Sequence, residues 1–171
     1  MANNFIEEGF NILEPKIDRR NETNGITGSH FPLYEWGLAV IYKFFGTHNS
    51  IARIYSLLLF SLGLLAFYKI LILQKIKPFT AFIGSLLLLF NPILFYDSAN
   101  AMPDIMAMSM ALFALYYFIK LSQKRQISTL LLATLFAVIA GLIKFQFLII
   151  PFASIVYFKW ERKNLIYLSL A

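Results

Sequence analysis

Four charged side chains, Lys16, Asp18, Arg19 and Arg20, fall close together early in the chain. A carboxylate beside fixed cations suits one kind of chemistry. The acid accepts the proton of an attacking hydroxyl, and the cations hold an anionic leaving group such as a phosphate. Arginine fits phosphate because its donors form a planar fork. Asp18 is the first candidate base, with Asp104 as a second and Glu7 and Glu8 as alternatives. Lys16, Arg19, Arg20, Arg53 and Lys144 are the candidate phosphate contacts. Plainer readings stand beside these. Asp18 also fits as a solvated loop acid, Glu7 and Glu8 as the polar face of a short helix, and Arg53 as an interfacial anchor. Asp104 follows Pro103 near an expected helix start, where an acid complements the dipole. Lys144 between two apolar blocks is costly in lipid, but a lysine there also snorkels to the headgroups.

Metal chemistry finds little support. His30 and His48 have no ligand partner at metal spacing, and there is no cysteine. No cofactor is expected, and nothing in the sequence supports a divalent metal. Met102, Met106 and Met110 form a helical stripe of the kind used for packing.

The elements that must hold these residues are apolar helices. Of the 171 residues, 59% are hydrophobic and 14% charged, with a mean hydropathy of +0.68. A soluble domain of this length cannot hide that much hydrocarbon. The fold expected is all-α, a polytopic membrane protein. Residues 1–50 form an external segment with an interfacial helix at 31–46, and residues 51–171 form the transmembrane region. Blocks long enough to cross a bilayer fall at about 51–73, 79–96, 103–120, 127–143 and 145–158, with a truncated sixth at 164–171. The last two complete blocks are short and also fit one bent unit about Lys144. Pro92 and Pro151 lie inside spans, where neighbouring helices satisfy the freed carbonyl.

Charge orders the ends. The net charge of +6 invites a nucleic-acid reading, but in such a chain lysines and arginines in short loops are topology signals. No nucleic-acid partner is expected. Loops 74–78, 121–126 and 159–163, with their edges, carry Lys69, Lys75, Lys77, Lys120, Lys124, Arg125, Lys159, Arg162 and Lys163 against Glu161 alone. These loops alternate with those carrying Asp97, Asp104 and Lys144, so the basic side is read as cytoplasmic. Segment 31–46 is short for a span and carries Tyr34, Glu35, Trp36, Tyr42 and Lys43, a composition suited to the interface. The rival reading makes 31–46 a span and puts the N-terminus inside. The preferred topology starts outside without a signal peptide and stops within an apolar run, as a fragment lacking its first span would.

NNFIEEGFNILEPKID, HFPLYEWGLAVIYKFFG and IARIYSLLLFSLGLLAFYKI together resemble the first external loop and following helix of GT-C glycosyltransferases. The similarity is to the protein-mannosyltransferase and lipid A aminoarabinose-transferase branch, glycosyltransferase family 39, which includes Rgt-like bacterial enzymes. Its marks are Pro32-Leu33-Tyr34, Phe45-Gly46 and Arg53. YDSANAMPDIMAMSMALFALYYFIK resembles the second external loop with an acid at the mouth of the next helix, and GLIKFQFLIIPF resembles a later turn.

The resemblance implies an inverting transferase with a carboxylate base. It would move a sugar from a polyprenyl-phosphate-linked donor to a lipid, glycan or protein acceptor, in contact with membrane lipid, at the external face of a bacterial inner membrane. Tyr34 and Glu35 then fall on the acceptor side. Two departures stand out. The family's usual base lies at the outer end of the first span or early in the following loop, at or before the point where this chain begins. Position 30 is His30, where related chains often carry an acid or a lysine. A multi-pass transporter or flippase subunit, and an inactive fragment of the enzyme, are the alternatives. Transporters tend to place ionisable groups in mid-span, whereas these charges stand at span ends.

Overall fold

The structure, a computed structural model, describes residues 1–18, 24–26, 28, 30–123 and 125–153. Its regular elements among these residues are all helices, with one isolated antiparallel bridge between Lys16 and Ile26. A short helix, α1 (Ala2–Glu8), opens the chain. Helix α2 is Leu33–Phe45. Pro32 precedes its first turn, where a missing N–H costs nothing, and Gly46 ends it at φ 84, a backbone region open to glycine. Then come α3 (Asn49–Leu73), α4 (Pro78–Leu89), α5 (Pro92–Ala99), α6 (Pro103–Gln123) and α7 (Ile127–Ile143). A 3-10 turn, Phe145–Leu148, and a short helix, α8 (Ile149–Phe152), close the described chain.

Two helices are long and apolar enough to cross a membrane, α3 with 25 residues and α6 with 21. At 1.5 Å per residue they measure about 38 and 32 Å, against a hydrocarbon core of about 30 Å. The expected single span over 79–96 is instead two helices, α4 and α5, bent by 65°. Counted as one broken span they raise the number to three; α7, with 17 residues, is a shorter apolar helix. The bend has a local cause. Pro92 cannot donate to the preceding turn, and the Asn91 side chain caps the new helix by accepting from Ile93 N at 3.1 Å and Leu94 N at 3.3 Å. Helix α5 then runs on to Ala99, into the first half of what the sequence suggested was an external loop. Residues 145–153 are likewise not the start of one regular span, because the chain breaks into the 3-10 turn. The expected helix at 164–171 and the loop at 159–163 lie outside the described residues.

Helices α3 and α6 are parallel. Ser109 Oγ donates to Leu59 O at 2.8 Å and Gln123 Nε2 to Leu73 O at 3.4 Å, both across 50 residues. Small residues are buried on both helices, Ala52, Ser56, Gly63 and Ala66 on α3 and Ala107, Ser109, Ala111 and Ala114 on α6, and Gly63 meets Ser109 across the seam. Membrane helices pack this way because small side chains let backbones approach. A Cβ added to Gly63 would lie 2.5 Å from Ser109 Oγ and 3.2 Å from its Cα. Helix α7 returns antiparallel along α6, with Phe136 stacked on Phe113 and Tyr117 at 5.1 and 5.7 Å. The large apolar side chains face outward, among them Leu58, Leu87, Phe90, Leu131 and Phe145. So much exposed hydrocarbon suits lipid and not water.

Candidate functional site

The parallel pair sorts the charges. Lys69, Lys75 and Lys77 at the α3–α4 turn lie at the same end of the bundle as Lys120 and Arg125 at the α6–α7 turn. Asp104 and Lys144 lie at the other end. The constant offset of 50 residues between α3 and α6 sets Arg53 at the height of Pro103 and Asp104. Arg53 is exposed there.

Asp104 and Lys144 meet directly. Lys144 Nζ donates to both oxygens of Asp104 at 2.8 Å, with the two side chains 33% and 23% accessible respectively. Asp104 sits in the first turn of α6, where the helix dipole favours an anion. Lys144 leaves α7 in extended backbone, its N–H still bonded to Ala140 O at 2.9 Å. The break turns its side chain away from the α7 register and onto α6. The sequence singled out both residues but did not reveal that they pair.

The segment before α2 is fastened to the same end. Phe31 N donates to Leu142 O at 3.1 Å, two residues before Lys144. Next to it His30 Nε2 lies 2.9 Å from Glu35 Oε1. Glu35 Oε2 is buried and has no hydrogen-bond partner among the described residues. Tyr34 is buried, with its hydroxyl 2.6 Å from Ser56 Oγ on α3. Burial pushes its phenol up to about 12, against the opposing effect of the Ser56 bond, and burial also raises Tyr42. Thus, of the two expected acceptor-side residues, Tyr34 ties α2 to α3 and Glu35 holds His30. The His30–Glu35 pair was missed as a pair. Its only signal was an acid in the first turn of a helix opened by proline, five residues after a histidine.

The N-terminal candidates divide. Lys16 Nζ bonds Glu8 Oε2 at 3.1 Å, so these two neutralise each other. Glu7 is exposed, and the Asp18 side chain is 81% accessible. Arg19 and Arg20 lie outside the described residues. The segment rests on α2 through Trp36 Nε1, which donates to Phe10 O at 3.3 Å, and through Lys43 Nζ, 5.5 Å from the Phe10 ring centre. Among the described residues no group of three or more His, Cys, Asp or Glu side chains could hold a metal ion.

Helices with an apolar exterior, small-residue seams and charge confined to their ends define an integral membrane protein. Comparison with known families makes this specific. The profile of the dolichyl-phosphate-mannose-protein mannosyltransferase family matches residues 29–171. The chain belongs to this family, within the GT-C membrane glycosyltransferases. No curated protein and no solved structure matched the chain.

Proposed function

We propose that the protein takes part in sugar transfer from a polyprenyl-phosphate-linked donor to a lipid, glycan or protein acceptor at the external face of a bacterial inner membrane. The observation that carries this reading is the family match over residues 29–171. The reaction needs an acceptor hydroxyl, a carboxylate and a cation at membrane depth. The acceptor oxygen attacks the anomeric carbon from the face opposite the phosphate. The new C–O bond forms as the bond to the phosphate oxygen breaks, so the configuration inverts. The hydroxyl proton passes to the carboxylate, and polyprenyl phosphate leaves as an anion held by a cation.

The Asp104–Lys144 pair is suited to both tasks. A donor phosphate competes with Asp104 for the Lys144 ammonium. Once it takes one of the two bonds, Asp104 regains a lone pair and becomes a better proton acceptor. Asp18, exposed on the segment that rests on α2, is the alternative base. The interfacial helix of this reading is α2, with the 1–30 segment outside the bilayer. A carrier reading draws on the broken α4–α5 pair, since transporters bind at such breaks. Here the residues flanking the break, 88–95, carry no ionisable side chain, which favours the transferase.

The test is to replace Asp104 and Asp18 singly by Asn and measure transfer of labelled sugar from a polyprenyl-phosphate donor in membranes. One replacement should lower turnover by about 100-fold or more, the usual range for a lost general base. Full turnover by both variants removes these carboxylates from the reaction.

A further inference from the structure

The basic end of the bundle holds no candidate catalytic group, yet its charges are as ordered as those at the acidic end. The α3–α4 turn carries Lys75 and Lys77, and the neighbouring α6–α7 turn is flanked by Lys120 and Arg125. The Gln123–Leu73 bond ties the two turns together. Among the described residues none of Lys69, Lys75, Lys77 and Lys120 has an ion-pair partner.

Lys120 Nζ is held 5.8 Å from the Tyr116 ring and 6.0 Å from the Tyr117 ring. Lys75 stands at φ 61. There Lys75 N bonds Ile72 O and Ile76 N bonds Leu71 O, the helix-ending pattern in which glycine is the usual residue. A lysine at this corner keeps backbone strain that a glycine would remove. The chain retains a cation there at a cost to its own fold. Close to these cations in sequence the surface turns apolar, with Phe79 and Phe82 on α4 and Ile127 and Leu131 on α7 exposed.

We propose that this end is a binding site for an anionic phospholipid. Its phosphate diester is held by Lys75 and Lys77 together with Lys120 of the adjoining turn, and its acyl chains lie on the apolar faces of the same helices. A free phosphate ion would use the cations alone, whereas a phospholipid uses both surfaces. Diffuse attraction to a charged membrane needs neither tied turns nor a lysine fixed on two rings. The proposal does not depend on sugar transfer, and binding tests it directly.

The full chain is extracted in mild detergent and examined by native mass spectrometry with phosphatidylglycerol or phosphatidylcholine added. The wild type should keep phosphatidylglycerol in preference. Lys75→Gly with Lys77→Gln should lose roughly ten-fold of that preference, while unfolding in phosphatidylcholine no more easily than the wild type, because glycine relaxes the strained corner. Lys43→Gln, remote from these turns, should leave the lipid preference unchanged. Excess inorganic phosphate should leave the lipid bound. Equal preference in the double variant and the wild type overturns the proposal, and so does displacement by inorganic phosphate. Should Lys75→Gly impair folding, Lys77→Gln with Lys120→Gln makes the same comparison on unstrained backbone and decides it.

Discussion

Breaking the Asp104–Lys144 pair should cost measurable stability, and the amount follows from its geometry. Two oxygens lie 2.8 Å from one ammonium. At an effective dielectric of about 20, an attraction of several kcal/mol is available. Desolvation and side-chain ordering offset much of it. With 33% and 23% of the side chains accessible, the pair falls between an exposed bridge, worth up to about 1 kcal/mol, and a buried one, whose breakage costs about 3–5 kcal/mol. A coupling of about 1–3 kcal/mol is therefore expected in a cycle of Asp104→Asn, Lys144→Gln and the double variant. The assay is reversible unfolding of the reconstituted protein. A coupling below about 0.5 kcal/mol, the level at which distant sites add, refutes the pair as a tie between α6 and α7. Exchanging the two charges sharpens the point. The swapped pair should recover only part of the coupling, because a lysine in the first turn of α6 opposes the dipole. Under the proposed function the swapped protein stays inactive even where it is stable. Recovered turnover would reduce the pair to scaffolding.

Gly63→Ala should destabilise the α3–α6 seam by about 1–3 kcal/mol, since the new Cβ meets Ser109 Cα at 3.2 Å as well as the movable hydroxyl. Ser109→Ala, which loses only the bond to Leu59 O, should cost about 0.6 kcal/mol in the same unfolding assay; the reverse order contradicts the seam. Asn91→Ala should cost about 1 kcal/mol through the lost cap and speed hydrogen exchange in Pro92–Ala99. Burial raises the Tyr34 phenol from 10 to about 12, so its contribution is complete below pH 10 and is lost as pH rises through about 12. Tyr34→Phe should flatten the fall in stability over that window and lower the amplitude of phenolate absorbance that develops there; an unchanged titration contradicts the burial of Tyr34.

Much of the helical framework could be read from the residues. Pro32 and Gly46 bracket α2 because one lacks a donor and the other accepts a positive φ. The blocks behind α3, α6 and α7 are apolar runs with charged ends, which require no long-range information. The break at Asn91 was harder to see. A proline in an apolar run fits either a kinked span or two helices, and what decides is the Asn91 side chain folding onto Ile93 and Leu94. Pairings were out of reach for a different reason. Asp104 and Lys144 are 40 residues apart, and Gly63 and Ser109 lie in different spans. Only the parallel docking of α3 and α6 and the return of α7 bring such partners together. His30 and Glu35 are near in sequence, but their contact depends on how the chain enters α2.

The position of the breaks bears on function. Among the described residues the basic end holds the short turn 74–77, whereas the acidic half holds the Asn91–Pro92 bend, the left-handed turn at Ala101 and the extended Lys144. Helix α4 has 12 residues, about 18 Å. If it starts at the basic interface, it ends well inside a hydrocarbon layer of about 30 Å. Non-helical backbone survives at that depth only where it is buried in protein or lines a wet cavity. Asn91 answers the need for the first N–H groups of α5, and Lys144 is answered by Asp104. A lipid-anchored phosphate is held at the membrane interface, because its tail stays in hydrocarbon while its charge stays hydrated. Among the described residues the acidic end offers such a phosphate a paired carboxylate and ammonium, whereas the basic end offers cations without a neighbouring carboxylate. Under the proposed function, sugar transfer belongs to the acidic end, where a candidate base and a candidate phosphate-binding cation stand side by side.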